Sequence, residues 1–479
     1  MTKDIPRLEY LFNPSTIAVI GASREPVKWG SIVLNNIIKG GYKGKIYPIN
    51  PKAEKIQGLK SYPSIRKVPS EINLSIIAVP AMGIPQVFED CSEKNVEMAI
   101  VLSSGFGETG EKGRRAEDEL LSSARKASIR FVGPNSMGIF SASSNLHALM
   151  PTLTPQKGNL SFVSQSGNLG VQMLSRGGQL GVGFNMFVSS GNEVDLHCED
   201  YIDYFRQDEN TKVILLYTEG LRDGKRFIKI TRRTTKQKPL IAIKAGGTEA
   251  GAKAALSHTG VLTSSSRIYD SVFKQFGVIK AETTEEMLDF ALAFNQPLPK
   301  GRKVAILTRG GGWGVVAADA CNKAGIEVPK PPEEILQELD RLLPSYWSRN
   351  NPIDTVAVRD PTVSIDILTI IGKWKDIDGL IILGGFGEFY SDFLKRIGFD
   401  DVYVEIHREI LERDVRKLIE ITNNLGKPIF VVAFKLLDRS RMIRLLNENK
   451  IPVYYSPERA IKAFARLIEW KEYLDSRKP

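Results

Sequence analysis

Of the four histidines in this chain, at positions 147, 197, 258 and 407, His258 sits among small polar neighbours in Ala255-Leu256-Ser257-His258-Thr259-Gly260. An imidazole so placed is open to a substrate and can act as a covalent nucleophile, with phosphate as one cargo. A merely solvated histidine fits the same spacing. Glu219 closes a β-branched run in Tyr217-Thr218-Glu219-Gly220. A carboxylate bonded to one imidazole nitrogen orients the ring and leaves the other nitrogen free to attack; a loop carboxylate in a surface ion pair is the ordinary alternative. Ser164, Gln165, Ser166, Gly167 and Asn168 follow another run. They present backbone N–H groups and hydroxyls at a helix start, which together cradle an anion. Gly311 and Gly312, in Arg309-Gly310-Gly311-Gly312, offer the same from a later segment.

A third glycine turn, Gly21-Ala22-Ser23, ends the first apolar run, with a helix predicted to begin near Trp29, just after Lys28. A turn that leads into a helix N-terminus suits a pyrophosphate. Two features argue against NAD. The loop is not G-x-G-x-x-G, and the second strand ends in Asn50-Pro51-Lys52, without the acid that would bind a ribose hydroxyl. Lys52 suits a ligand with an additional phosphate, and CoA carries a 3′-phosphate. Further turns fall where strands should end: Val79-Pro80, Ser104-Gly105 and Asn135-Ser136. Ordinary βα turns have the same composition.

The elements needed to hold these loops recur along the chain. Short runs apolar on both faces, such as Thr16–Ile20, Val213–Tyr217, Leu240–Ile243, Val304–Leu307 and Ile429–Val432, alternate with helical stretches. That pattern predicts an α/β protein of parallel sheets covered by helices. Three strand–glycine loop–helix starts and two Pro-containing stretches, Leu149–Lys157 and Gln296–Arg302, predict three domains: 1–145, 146–297 and 298–479. Hydrophobic residues form 42% and charged residues 25%, a globular balance. The net charge of +10 is scattered, with no basic run interleaved with aromatics, so no nucleic-acid partner is expected. No apolar run approaches membrane-spanning length and no secretory h-region is seen. Three distant cysteines without a CxxC point to a reducing cytoplasm and to no metal site.

Taken together, these residues resemble the α subunit of ADP-forming acetyl-CoA synthetases, relatives of succinyl-CoA synthetase. The most specific segment is Lys244–Gly260 with its S-H-T-G core; Val163–Gly167, Ser190–Asp195, Tyr217–Gly220, Asn351–Asp354 and, in the first domain, Ile20–Ser23, Pro48–Lys52, Val79–Ala81 and Gly133–Gly138 match in order. The resemblance implies a Rossmann-like CoA-binding domain followed by two flavodoxin-like domains. It implies His258 as phosphate carrier, Glu219 as its orienting carboxylate, and the two glycine helix starts as phosphoryl holders. It also implies CoA as substrate and an ATP-grasp β subunit, in an α2β2 assembly, supplying the site for ADP/ATP with Mg2+, because no G-x-x-x-x-G-K-[ST] loop occurs here. The segment after Gly260 (Val261-Leu262-Thr263-Ser264-Ser265), the Gly384–Tyr390 stretch and Arg309 depart from the family pattern. They motivate the alternative of a non-catalytic CoA- or acyl-CoA-binding paralogue. The front half of a protein acyltransferase is a further alternative, but no acetyltransferase-like segment follows.

Overall fold

A computed structural model describes residues 5–248, 250–251, 266–356, 358, 361–384, 395–433 and 441–477. His258 lies outside the described residues, as does most of the Gly384–Tyr390 stretch. The chain divides into two compact units, one of residues 1–178 and 182–284, the other of 179–181 and 285–479.

The first unit contains two sheets. Strands β1 (Thr16–Ile20), β2 (Lys45–Ile49), a small hairpin of β3 (Lys55–Ile56) and β4 (Leu59–Lys60), then β5 (Leu74–Ile77), β6 (Met98–Val101) and β7 (Arg130–Val132) come first. The five longer strands are parallel, in the order β2-β1-β5-β6-β7. Side chains alternate across that sheet. Ile17 and Val19 enter one core and Ala18 and Ile20 the other, so both faces are buried, as the apolar runs predicted.

Strands β8 (Gly138–Ser141), β9 (Leu146–Leu149), β10 (Lys157–Ser164), β11 (Phe184–Ser189), β12 (Val213–Thr218), β13 (Leu240–Lys244) and β14 (Ile279–Lys280) form the second sheet. Its parallel strands run β11-β10-β12-β13-β14, with β8–β9 antiparallel at the β11 edge. Leu146 and Ala148 of that hairpin share one core with Val33, Leu34 and Ile37 of the helix Trp29–Gly40. Phe12 stacks on Tyr204 at 5.1 Å. One continuous apolar interior therefore joins both sheets, at roughly 25 cal/mol per Å² buried, and they behave as one unit.

The second unit carries β15 (Val304–Thr308), β16 (Ile353–Asp354), β17 (Gly379–Leu383), β18 (Ile429–Val432) and β19 (Val453–Tyr454), parallel in the order β16-β15-β17-β18-β19. Counting parallel strands along each sheet, all three share the order 2-1-3-4-5. In such a sheet the strand order reverses between the first and third strands, and a crevice opens at their carboxyl ends. Gly21 and Val79-Pro80 flank the first crevice, Gln165-Gly167 and Glu219 the second, and Gly310-Gly311 and Gly384 the third.

Candidate functional site

At the first crevice, Gly21 turns at φ +88 and its N–H reaches the Ile49 carbonyl at 3.2 Å. A Cβ on Gly30 would stand 2.1 Å from the Gly21 carbonyl oxygen. Only two glycines allow the start of the helix Trp29–Gly40 to lie this close to the turn, the packing a pyrophosphate site requires. Asn50 Nδ2 donates to the Ala22 carbonyl at 2.7 Å, and Asn50 Oδ1 accepts from the Lys52 N–H at 2.8 Å, so the ends of β1 and β2 are tied together. Lys52, Pro80, Ser104 and Gly105 are exposed, while Ser23 is buried and accepts from the Glu25 N–H at 3.0 Å. Lys28 precedes the helix and pairs with Glu25 at 2.6 Å.

The Ser104-Gly105 turn is held by groups the sequence did not single out. Glu108 Oε1 accepts from the N–H groups of Gly105 (2.6 Å) and Phe106 (3.1 Å); Asn192, arriving from the second sheet, donates to Glu108 Oε2 (2.7 Å) and Glu117 Oε1 (2.8 Å). Burial alone would raise the Glu108 carboxyl. The bonds from Asn192 and the backbone outweigh it and hold the group below its ordinary value. Asn135 adopts φ +60 and its amide reaches Asn192 Oδ1 at 3.3 Å. Ser136 is 1% exposed and its hydroxyl donates to the Ser189 carbonyl at 2.6 Å, so that side chain is committed to the interior.

At the second crevice, Ser166, Gly167 and Asn168 open the helix Gly167–Gln179. Ser166 and Gly167 are half-buried and Asn168 exposed, leaving the first-turn N–H groups to face an anion. A Cβ on Gly167 would meet Met137 Cγ at 2.2 Å, so glycine lets the helix start seat against that side chain. Ser164 is buried and donates to the Ser166 carbonyl at 2.7 Å. Gln165 reaches across to the turn after β12: its Oε1 accepts from the Glu219 N–H at 2.6 Å and its Nε2 donates to the Gly220 carbonyl at 2.8 Å.

Glu219 is 7% exposed. Its carbonyl accepts from Lys244 Nζ at 2.9 Å, and Lys244 stands over the Tyr269 ring at 4.9 Å. Burial pushes the Lys244 ammonium down, partly offset by the charge of Glu219. Because Thr218 pairs with Lys244 in the sheet, the segment that carries His258 leaves β13 directly beside Glu219. Among the described residues, no group of His, Cys, Asp and Glu is arranged to hold a metal ion.

Of the other histidines, His147 is buried against Phe140, ring centroids 5.1 Å apart, and its imidazole is pushed down by burial. His197 precedes the helix Cys198–Gln207, its N–H bonded to Asp200. In the second unit, Gly311 begins the helix Gly311–Lys323 after the extended Gly310; Gly312 has open space where a side chain would stand.

Comparison with known proteins agrees with this geometry. The family model described as CoA binding domain matches residues 15–142, and that of the succinyl-CoA ligase like flavodoxin domain matches residues 157–294. The α subunit of acetate–CoA ligase [ADP-forming] II from Pyrococcus furiosus is 39% identical over 96% of this chain and 97% of its own. The chain belongs to the ADP-forming acetate–CoA ligase α-subunit family. A structure of the dinucleotide-forming acetyl-coenzyme A synthetase 1 of Ca. Korarchaeum cryptofilum, in complex with phosphate and ADP, superposes with a TM-score of 0.87 at 35% identity, covering 98% of this chain and 99% of that one. Acetate–CoA ligase [ADP-forming] I of Archaeoglobus fulgidus is a longer relative, 34% identical over 96% of this chain but 63% of its own.

For a ligase of this family, the residues missed by sequence reasoning are the ones that brace the loops: Glu108, Glu117, Asn192, Glu193 and Lys244. Three of them lay inside the segments Ser190–Asp195 and Lys244–Gly260, singled out for their order along the chain. Nothing in those segments indicates which side chains turn inward.

Proposed function

We propose that this chain is the CoA-binding, phosphate-carrying subunit of an ADP-forming acyl-CoA synthetase, with His258 as the carrier and an ATP-grasp β subunit holding ADP and Mg2+. The observation that carries the reading is the departure of the His258 segment from β13 beside Glu219 and Lys244, in the same crevice as the Ser166–Asn168 helix start.

The chemistry proceeds in separable steps. A phosphate oxygen attacks the thioester carbonyl; the C–S bond breaks, the thiolate takes a proton, and CoA leaves from acyl phosphate. One nitrogen of His258 attacks the phosphorus, and the P–O bond to the acyl group breaks to release the carboxylate. Glu219 holds the other ring nitrogen and stabilises the charge that develops on the imidazole. The helix start at Ser166, Gly167 and Asn168 neutralises charge on the transferring phosphoryl. An ADP oxygen then takes the phosphoryl as the P–N bond breaks. The likeness to a structure holding phosphate and ADP supports phosphate and ADP as reactants.

In the first domain, Gly21, Ala22, Ser23, Lys28, Asn50, Lys52, Val79, Pro80, Ser104, Gly105 and Asn135 surround the crevice assigned to CoA. In this reading Lys52 meets the 3′-phosphate. Ser136 supports that crevice from within.

The test combines the chain with its β subunit, ADP, phosphate and acetyl-CoA. His258→Asn should abolish both ATP formation and acid-labile labelling of the chain by radioactive phosphate. Unchanged ATP formation would refute the carrier role. Tight CoA binding without labelling of the unaltered chain would instead identify a non-catalytic CoA-binding protein.

A further inference from the structure

The turn that presents Glu219 has one bond of its own, from the Thr218 hydroxyl to the Gly220 carbonyl at 3.1 Å, and Lys244 reaches the Glu219 carbonyl. Its backbone N–H groups are held by the amide of Gln165, whose Oε1 accepts from those of Glu219 (2.6 Å) and Gly220 (3.2 Å) while its Nε2 donates to the Gly220 carbonyl (2.8 Å). A primary amide can rotate by half a turn and exchange donor for acceptor with almost no change of shape. Here that exchange would set two N–H groups against an NH2 group and release the turn.

One neighbour opposes it. The second hydrogen on Gln165 Nε2 goes to Glu193 Oε2 at 2.9 Å, and an ionised carboxylate only accepts. Glu193 is 1% exposed, in the left-handed region at φ +51. A buried carboxyl in that conformation costs folding energy, which makes it a sign of function. Its Oε1 accepts from the Ser190 hydroxyl at 2.7 Å; Ser190 Oγ also lies 3.3 Å from the Ser164 carbonyl. Ser164 in turn donates to the Ser166 carbonyl. One side chain thus links the turn carrying Glu219 to the turn that opens the helix Gly167–Gln179.

We propose that Glu193 is a positioning residue that, through Gln165 and Ser190, keeps Glu219 and the Ser166–Asn168 helix start in register for phosphoryl transfer. This rests on the functional reading given above. Burial and the nearby Glu199 push the Glu193 carboxyl up to about 7, against the bonds from Ser190 and Gln165 and the charge of His197. The network tolerates both protonation states. With a neutral acid, the O–H donates to Ser190, the Ser190 hydrogen passes to the Ser164 carbonyl, and Oε2 still accepts from Gln165. A glutamine reproduces that neutral pattern, whereas a methionine of similar length reproduces neither bond.

The experiment compares Glu193→Gln and Glu193→Met in the complete synthetase, measuring kcat, KM for acetyl-CoA, and His258 labelling. Glu193→Gln should stay within about threefold of the unaltered enzyme. Glu193→Met should lose about 100-fold in kcat, the scale of a 1 Å misplacement, at unchanged KM, because the Glu193 side chain bonds to Gln165 and Ser190, and it is Asn192, not Glu193, that braces the Ser104-Gly105 turn through Glu108. In a Glu219→Gln background, Glu193→Met should add little, since its effect passes through that residue. Should Glu193→Met fail to fold, Gln165→Met breaks the same link from its other end and must show the same split. Full activity of the methionine variant, equal loss in both Glu193 variants, or a parallel rise in KM would each overturn the proposal. If His258→Asn is inactive and Glu193→Met is not, only this inference fails. If His258→Asn is active, the functional reading fails first.

Discussion

At the scale of the residue, the informative groups are those buried against their own chemistry. Glu193 is a fully buried acid whose carboxyl sits near 7, above the ordinary value of 4.5. The sign of its effect on stability follows. Below pH 4.5 the acid is neutral in both folded and unfolded chains and costs nothing. As pH rises from there, the unfolded chain ionises while the folded chain keeps its proton, so stability falls, and the full penalty is present above pH 7. That shift corresponds to about 3 kcal/mol. Glu193→Gln has no such window. Its denaturant-unfolding free energy should exceed that of the unaltered chain by up to about 3 kcal/mol at pH 8, with the advantage shrinking towards pH 4.5. A constant difference across that range would contradict a shifted carboxyl. His258 was singled out from its neighbours in sequence and lies outside the described residues; Glu193 was not singled out, because its bond to Gln165 comes from 28 positions away along the chain.

At the scale of the element, the glycines of the first crevice set the distance between a helix and a turn. A Cβ at position 30 would stand 2.1 Å from the Gly21 carbonyl oxygen, and Gly21 itself needs φ +88. Gly30→Ala should therefore push the helix Trp29–Gly40 off the turn, costing about 1–3 kcal/mol of stability. CoA affinity, read by titration calorimetry, should fall at least tenfold, while labelling chemistry at the second crevice keeps its kcat at saturating acyl-CoA. Retention of wild-type affinity would mean that CoA is held elsewhere. Strand existence was readable from apolar runs: Thr16–Ile20 is a strand with those bounds. The run Leu240–Ile243 stops one residue short of the strand Leu240–Lys244, because the polar Lys244 still pairs with Thr218 in the sheet. The prediction of a helix starting near Trp29 holds, the Gly21 turn having set where it can begin.

At the scale of the molecule, three sheets with one strand order place three crevices at the carboxyl ends of their first and third strands, each served by its own glycine loop. The first two sheets share an apolar interior through the β8–β9 hairpin and the helix Trp29–Gly40, so they form one compact unit. No segment carries the phosphate-binding loop of a nucleotide hydrolase. Purified alone, the chain should bind CoA and accept phosphate from acetyl-CoA plus phosphate at His258. It should form no ATP from ADP until the β subunit is added, as a coupled luminescence assay would record. ATP formation by the lone chain would show that the nucleotide site resides here.

By itself the sequence determined the α/β class and the positions of the glycine turns, because these depend on local period and composition. Which side chains face each other was decided only by tertiary structure. The Gln165 amide, the Asn192 bridge to Glu108 and Glu117, and the Lys244 contact with the Glu219 carbonyl all join separate strands. Hydrogen bonds across a sheet follow its strand order and register, and neither is written in the spacing of residues along one chain.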